Sequence, residues 1–264
     1  MHSIAHQAEI LAYLNRNTLQ HIVHLKMLAA YAPQIEAHYF AGGSARGVLL
    51  LLPTAASAYD AAAYPKTQYV VLIAADTPAI TAQMPAYIPT TGNLIFKFTA
   101  AQDRAVLEKS RPLRRVTSFL SYTCAGPARF CQSKQVVISH QLEEKLLPLY
   151  QQSGYEAAEI AGYFKTGPAF SLAVYEQHQP VSVGLAYQNY GRVWEIGLLY
   201  TVSPARRKGY ARQIVETALS VLLANGCTPR YQMAETNLAS KELAERVGLT
   251  RFLTTEHYLC YQPA

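Results

Sequence analysis

The run Arg206-Arg207-Lys208-Gly209-Tyr210-Ala211 places three cationic side chains directly before a glycine and a small residue. Guanidinium and ammonium groups pair with phosphate oxygens. A glycine lets backbone approach a diphosphate with no side chain between, and Ala211 keeps the first turn of a following helix slim. A strand-like apolar run precedes the loop at 194–202, Ser203-Pro204 ends it, and an amphipathic helical pattern continues as far as Asn225-Gly226. A helix N-terminus exposes unpaired N–H groups and the positive end of its dipole, so a strand, a basic loop and a helix in this order suit a phosphorylated ligand. Arg207, Lys208 and Arg212 are the side chains expected to meet phosphate oxygens.

A second group comes later in the chain, Asn237-Leu238-Ala239-Ser240 and then Glu242-Leu243-Ala244-Glu245-Arg246-Val247-Gly248-Leu249. With both groups in place, residues 140–262 resemble the GNAT superfamily of acyl-CoA-dependent N-acyltransferases. That family's signature, Arg/Gln-x-x-Gly-x-Gly/Ala between a strand and a helix, is complete at Arg206–Ala211. Its Asn-x-x-Ala/Ser helix is matched at Asn237–Ser240. The resemblance implies a V-shaped opening between the strand ending at Val202 and the strand at 230–235. Pantetheine would lie along the backbone of Leu199, Tyr200, Thr201 and Val202 like an added strand. The diphosphate would rest on the N–H groups of Arg207, Lys208, Gly209, Tyr210, Ala211 and Arg212, and Asn237 and Ser240 would line the thioester side. The plainer reading of Asn237 is a helix N-cap, with Ser240 a small packing residue.

The resemblance also implies a general base. Glu195 stands at the start of the central strand, at the interval from Gly209 found for the glutamate base of the family's histone-acetylating branch. A partly desolvated carboxylate could take the ammonium proton of an incoming amine; the alternative is an exposed strand carboxylate, and Glu235 is a second candidate. Where many members carry a tyrosine as general acid, seven residues after the motif asparagine, this chain has Ala244. Tyr200, Tyr210, Tyr231 or Tyr258 could stand in. A free thiol has a pKa of about 8.5, so thiolate is already a fair leaving group.

The elements that must position these residues read as mixed α/β. A chain of 264 residues, half of them apolar, suits two well-buried domains, expected at 1–125 and 126–264. Helical patterning occupies 4–14 and 18–31. Strands are expected at 36–41, 46–52, 69–75, 94–99 and 114–122, with helices starting at 78 and covering 101–109. The segment 124–134, with Gly126-Pro127, reads as the connection. Beyond it, helices are expected at 141–152 and 155–164 and strands at 169–176, 180–187 and 192–202. A helix at 210–225, a strand at 230–235, a helix at 238–247 and a strand at 252–261 complete the pattern. Both halves run from strands into alternating helices and strands, which suits a degenerate duplication, the second half being a GNAT fold with a splayed central sheet.

Other chemistries find less support. The net charge of +6 is dispersed and accompanies no nucleic-acid motif. The apolar runs fall short of the roughly 18 residues of a membrane span, and no signal peptide is visible, so a cytoplasmic setting is expected. Cys124, Cys131, Cys227 and Cys260 lack metal-like spacing and read as free thiols. His2/His6 and His21/His24 share helix faces without a third ligand, so no metal is expected. Ser44 lacks a nucleophile elbow and reads as a hairpin turn. Tyr59, Tyr64 and Tyr69 are expected to line a surface or interface. Arg104, Lys109, Arg111, Arg114 and Arg115 form either a solvated surface or an attractor for an acidic acceptor or the adenosine 3′-phosphate.

The function expected is transfer of acetyl from acetyl-CoA to a primary amine of a small molecule or peptide, by direct attack in a ternary complex. Backbone N–H groups near Tyr200–Val202 would act as an oxyanion hole. The alternatives are an amino-acid or aminoacyl N-acyltransferase of the two-domain type, or a non-catalytic acyl-CoA-binding module. No motif in the first half names the acceptor.

Overall fold

The computed structural model describes residues 6–124 and 130–261. His2, the first residues of the expected helix at 4–14, and Gly126-Pro127 lie outside them. The chain divides into two compact units, one of residues 1–120 with 253–264 and one of residues 121–252. This differs from the expected 1–125 and 126–264 chiefly at the C-terminus, where the closing strand ends in the first unit.

In the first unit, helices α1 (Gln7–Asn15) and α2 (Ile22–Tyr31) precede a hairpin of β1 (Glu36–Gly42) and β2 (Ala45–Pro53). Gly42 pairs with Ala45, so Gly43-Ser44 is a two-residue turn, and Gly43 supplies the positive φ that such turns require. A short helix that sequence pattern did not reveal, α3 (Ala58–Ala63), is capped by the Ser57 hydroxyl. Next come β3 (Tyr69–Ala75), α4 (Pro78–Thr81), β4 (Leu94–Phe98), α5 (Ala101–Leu107) and β5 (Leu113–Thr123), whose last three residues belong to the second unit. Thr77 caps α4 and Pro78 starts it, as the Asp76-Thr77-Pro78 run predicts.

β1, β2 and β3 are antiparallel in turn, and β3 then pairs in parallel with β4 from Tyr69↔Leu94 to Ile73↔Phe98. The unit closes with the second half of β11 (Thr250–Cys260), whose Glu256–Cys260 runs antiparallel to β4. Every residue of β4 is buried, including Lys97. Its ammonium meets the fully buried Asp60 carboxylate at 2.7 Å. Beside it, Tyr64 is buried and shares a 2.6 Å hydrogen bond with His257 Nδ1, which excludes the exposed surface from the expected choice of surface or interface.

The second unit opens with β6 (Val136–Ser139), also not evident from sequence, then α6 (Leu147–Gln151) and α7 (Ala157–Thr166). Strands β7 (Ala169–Glu176), β8 (Gln179–Tyr190) and β9 (Val193–Thr201) come next. Helix α8 (Tyr210–Ala224), β10 (Thr228–Ala234) and α9 (Leu238–Val247) complete the unit, leading into β11. β6 to β9 are successively antiparallel, and β10 pairs with β9 in parallel. Both units therefore pass from an antiparallel run to one parallel pair. Among the described residues no helix is long and apolar enough to cross a membrane.

Two buried imidazoles make the first unit acid-sensitive. Burial, with the charge of His21, holds His24 down to about 3, and burial, with the charge of Lys97, does the same for His257. In the unfolded chain each ring takes a proton near pH 6.5, so stability is full above that value. It falls as pH drops toward 3, by up to about 1.4 kcal/mol per unit for each ring. Asp103, raised to about 6 by burial, works in the opposite direction between about pH 4 and 6. Urea unfolding at pH 7.5 and 5.5 is expected to show a net loss on acidification that is smaller in His24→Leu. Equal losses in both proteins would remove His24 as a source of the acid sensitivity.

Candidate functional site

The site is built around an irregularity in β9. Ser182 pairs with Thr201 and Val183 with Tyr200, but Leu185 pairs with Gly197, leaving Leu198 and Leu199 opposite the single residue Gly184. This is a β-bulge, and Leu198 takes a φ of +50° to make it. Gly184 is required there, because a Cβ would stand 2.7 Å from Ile214 on α8 and 3.2 Å from Leu199. Leu198 packs with Leu146, Tyr150, Ile160, Val183 and Leu185. A leucine is held in a left-handed conformation because its side chain is buried in a core.

On its other edge β9 is paired for only part of its length. The parallel ladder to β10 covers Thr228↔Val193 through Tyr231↔Ile196 and ends there. β9 continues through Thr201 and β10 through Ala234. Among the described residues, the edge of β9 that faces β10 thus has no ladder partner over 197–201. Leu199, Tyr200 and Thr201, where the opening is expected, fall within this unpaired part of β9. The Thr201 carbonyl accepts a 3.0 Å bond from Arg206 Nε, and Val202 N–H donates to Val181 on the β8 side.

The basic loop continues from that strand. Ser203–Ala205 form a 3-10 turn, then Arg207 and Gly209 take φ of +63° and +85° before α8 begins. Among the described residues, the N–H groups of residues 207–212 donate to no partner; Gln213 N–H, to Gly209 oxygen, is the first of the helix to do so. Six adjacent donors at a helix start form an anion cradle. The side chains correct part of the sequence expectation. Lys208 meets Glu176 at 2.8 Å, Tyr210 donates to the same carboxylate at 2.6 Å, and Arg212 meets Glu216 at 2.9 Å. These contacts hold the Glu176 carboxyl below the usual range, Lys208 contributing most. Arg207 alone among the three expected cations has no partner among the described residues. The arginines of the first unit are likewise engaged. Arg111 is buried on the Ile88 and Pro89 carbonyls, Arg104 meets Glu108 and Glu256, and Arg115 meets Glu256.

Asn237 is the N-cap of α9, its Oδ1 accepting from Ser240 N–H at 3.1 Å. Tyr231 is buried below that turn; burial raises its hydroxyl, and a hydrogen bond with Ser240 partly offsets the rise. Ala244 is fully buried in α9. Of the tyrosines considered as substitute acids, Tyr210 is held by Glu176, Tyr258 is buried in the core of the first unit, and Tyr200 is half-buried on β9 just past the bulge.

Glu195 is neither exposed nor an unengaged base. It is only 5% exposed, and its Oε2 accepts from Arg230 Nη1 at 2.6 Å and from Asn189 Nδ2 at 3.0 Å. Arg230 Nη2 in turn donates to Ser121 at 2.9 Å. Sequence reading missed Arg230, Asn189 and Gly184. The available signal was an arginine in an otherwise strand-like run directly after a helix–turn. Glu235 lies just past the end of β10. Among the described residues no group of three histidine, cysteine or acidic side chains is placed to hold a metal. A separate cleft of about 490 Å³, bounded by Phe164, Phe170, Trp194, Leu222 and Cys227, lies at the far end of α8 from the loop.

Residues 137–249 match the model of the acetyltransferase (GNAT) family. No curated protein matches the chain. Among solved structures it is similar to an acetyltransferase from the GNAT family of Colwellia psychrerythraea, with a TM-score of 0.58 at 10% identity over 95% of this chain and 97% of that one. A GCN5-related N-acetyltransferase from Sphaerobacter thermophilus gives 0.55 at 11% identity, over 83% and 78%. A GCN5-related N-acetyltransferase-like protein from Streptococcus suis gives 0.50 at 14% identity, over 98% and 100%. At these identities the likeness is one of fold.

The cap at Asn237 is testable apart from any ligand. Asn237→Ala is expected to lower stability by about 1 kcal/mol in denaturant unfolding, and Asn237→Asp to keep most of it. Equal stability of all three proteins would remove the capping role.

Proposed function

We propose that this chain, whose residues 137–249 are a GNAT-family acetyltransferase domain, transfers an acetyl group from acetyl-CoA to a primary amine. The observation that carries the reading is one continuous path. The unpaired edge of β9 leads through a 3-10 turn into six undonated N–H groups at the start of α8. An extended amide-bearing chain suits the edge and a diphosphate suits the cradle, in the order and covalent linkage that coenzyme A has them.

In this reading pantetheine adds to β9 at Leu199–Val202, taking over the Thr201 carbonyl from Arg206. The diphosphate sits on the N–H groups of Arg207–Arg212 with the Arg207 guanidinium beside it. Lys208 reaches it by exchanging Glu176 for a phosphate oxygen. Asn237 and Ser240 flank the opening from α9. The thioester carbonyl lies against the backbone just past the bulge, on the edge where β10 no longer claims the N–H groups.

The amine nitrogen attacks the thioester carbon and the carbonyl electrons move to oxygen. The C–S bond then breaks as the carbonyl reforms, and the nitrogen gives its proton to water. Coenzyme A leaves as thiolate, which needs no tyrosine at Ala244. The acceptor is a small-molecule or peptide amine, an amino acid included. The first unit is the degenerate relative of this domain, since it repeats the succession of strands. A non-catalytic acyl-CoA-binding module is the competing reading, favoured by Ala244 and by the engagement of Glu195.

Calorimetry with acetyl-CoA, then thiol release across a panel of amines, separates these. Binding with turnover on at least one amine is expected, binding without turnover supports the module, and no binding removes both. Gly209→Val puts a branched side chain at a positive φ, costing about 1–2 kcal/mol, and is expected to weaken acetyl-CoA binding about tenfold. Arg207→Ala is expected to weaken it less and to flatten its dependence on salt.

A further inference from the structure

In the first unit the parallel ladder between β3 and β4 runs the whole length of β4. In the second, β9 and β10 are both extended beyond Ile196 and Tyr231, yet their ladder stops after four pairs. Unpaired strand edges tend to pair, so an open pair of strands needs a device that sets where pairing ends. The bulge at Leu198 ends it on the β9 side. A second feature lies immediately before it.

Glu195 and Arg230 are directly opposed, one position before the last pair. Their side chains are 6% and 4% exposed and meet at 2.6 Å. Asn189 on β8 holds the same carboxylate oxygen, and Ser121 on β5 holds the other end of the guanidinium. Four side chains from four strands, Ser121, Arg230, Glu195 and Asn189, thus form one polar line across the sheet at the closed end of the opening. Tyr187, opposite Glu195 in the β8–β9 ladder, covers it from the same face.

We propose that this line is a tie that fixes where β9 and β10 part, so that Glu195 is a positioning residue for the acyl-CoA opening and not the proton acceptor. The inference rests on the acyl-CoA reading for its consequence and on the strand geometry for its substance. A buried pair of this kind is strongly disrupted by losing one partner and tolerates joint replacement by apolar residues of similar volume. That asymmetry separates a tie from a base, because a base has no such rescue.

The test compares Glu195→Gln, Arg230→Met and the double variant Glu195→Met/Arg230→Met. Acetyl-CoA affinity, kcat against pH, and amide hydrogen exchange at residues 193–196 and 228–231 are measured in each. Each single variant is expected to exchange about tenfold faster at these amides and to bind acetyl-CoA about tenfold more weakly. The pH–rate profile is expected to keep its shape, and the double variant to recover most of both losses. Glu195→Gln with wild-type exchange and affinity but no turnover, unrescued by the double variant, would overturn the proposal in favour of a base. If the single variants fail to fold, Asn189→Ala and Ser121→Ala trim the ends of the line. Faster exchange in both supports the tie, and unchanged exchange refutes it. Wild-type protein that does not bind acetyl-CoA would sink the acyl-CoA reading, while the exchange measurements would still decide the tie.

Discussion

A parallel ladder that stops after four pairs is the constraint on which the rest of the second unit depends. Two extended strands side by side gain by pairing, and leaving their edges open is costly unless water or a ligand takes the backbone groups. Three local features hold the ladder at Ile196 and Tyr231. The bulge at Leu198–Leu199 turns the backbone of β9, Gly184 makes room for it against α8, and the buried Glu195–Arg230 pair sits just inside the last rung. The stop leaves a strand edge available to an extended ligand.

The loop after β9 continues that edge with a row of undonated N–H groups. Positive φ at Arg207 and Gly209 points successive N–H groups outward before α8 takes up its own hydrogen bonds. The cations around them are partly neutralised by Glu176 and Glu216. Exposed pairs of this kind are worth little, so a diphosphate can displace them at small cost. Affinity in such a loop comes more from the backbone and the helix dipole than from the count of basic residues. The first unit shows the contrast. There the loop Asp76-Thr77-Pro78 after β3 leads into the four-residue helix α4, and the parallel ladder runs the length of β4. A parallel pair thus stays paired along all of β4 in one unit and stops after four pairs in the other.

Much of this was legible in the chain. Apolar runs marked most strands, because a strand buried on both faces reads as continuous hydrophobic sequence. The loop was legible because glycine and proline act locally, through the φ angles they allow or forbid. The capping role of Asn237 was legible for the same reason, as Ser240 N–H lies within reach of its side chain along the chain. β6 and α3 were not, since four and six residues are too few to show a period.

Sequence by itself determined the order of elements, the phosphate-suited turn at Arg206–Ala211 and the capped helix at Asn237, all set by interactions between residues close in the chain. Tertiary structure alone decided what surrounds Glu195. Its partner Arg230 is 35 positions away, and Arg230 in turn donates to Ser121, 109 positions from it; the register of β9 against β10 sets Arg230 opposite Glu195. A carboxylate's role depends on which charges and donors surround it after water is removed. Those neighbours are chosen by the pairing of strands, and no local pattern records that choice.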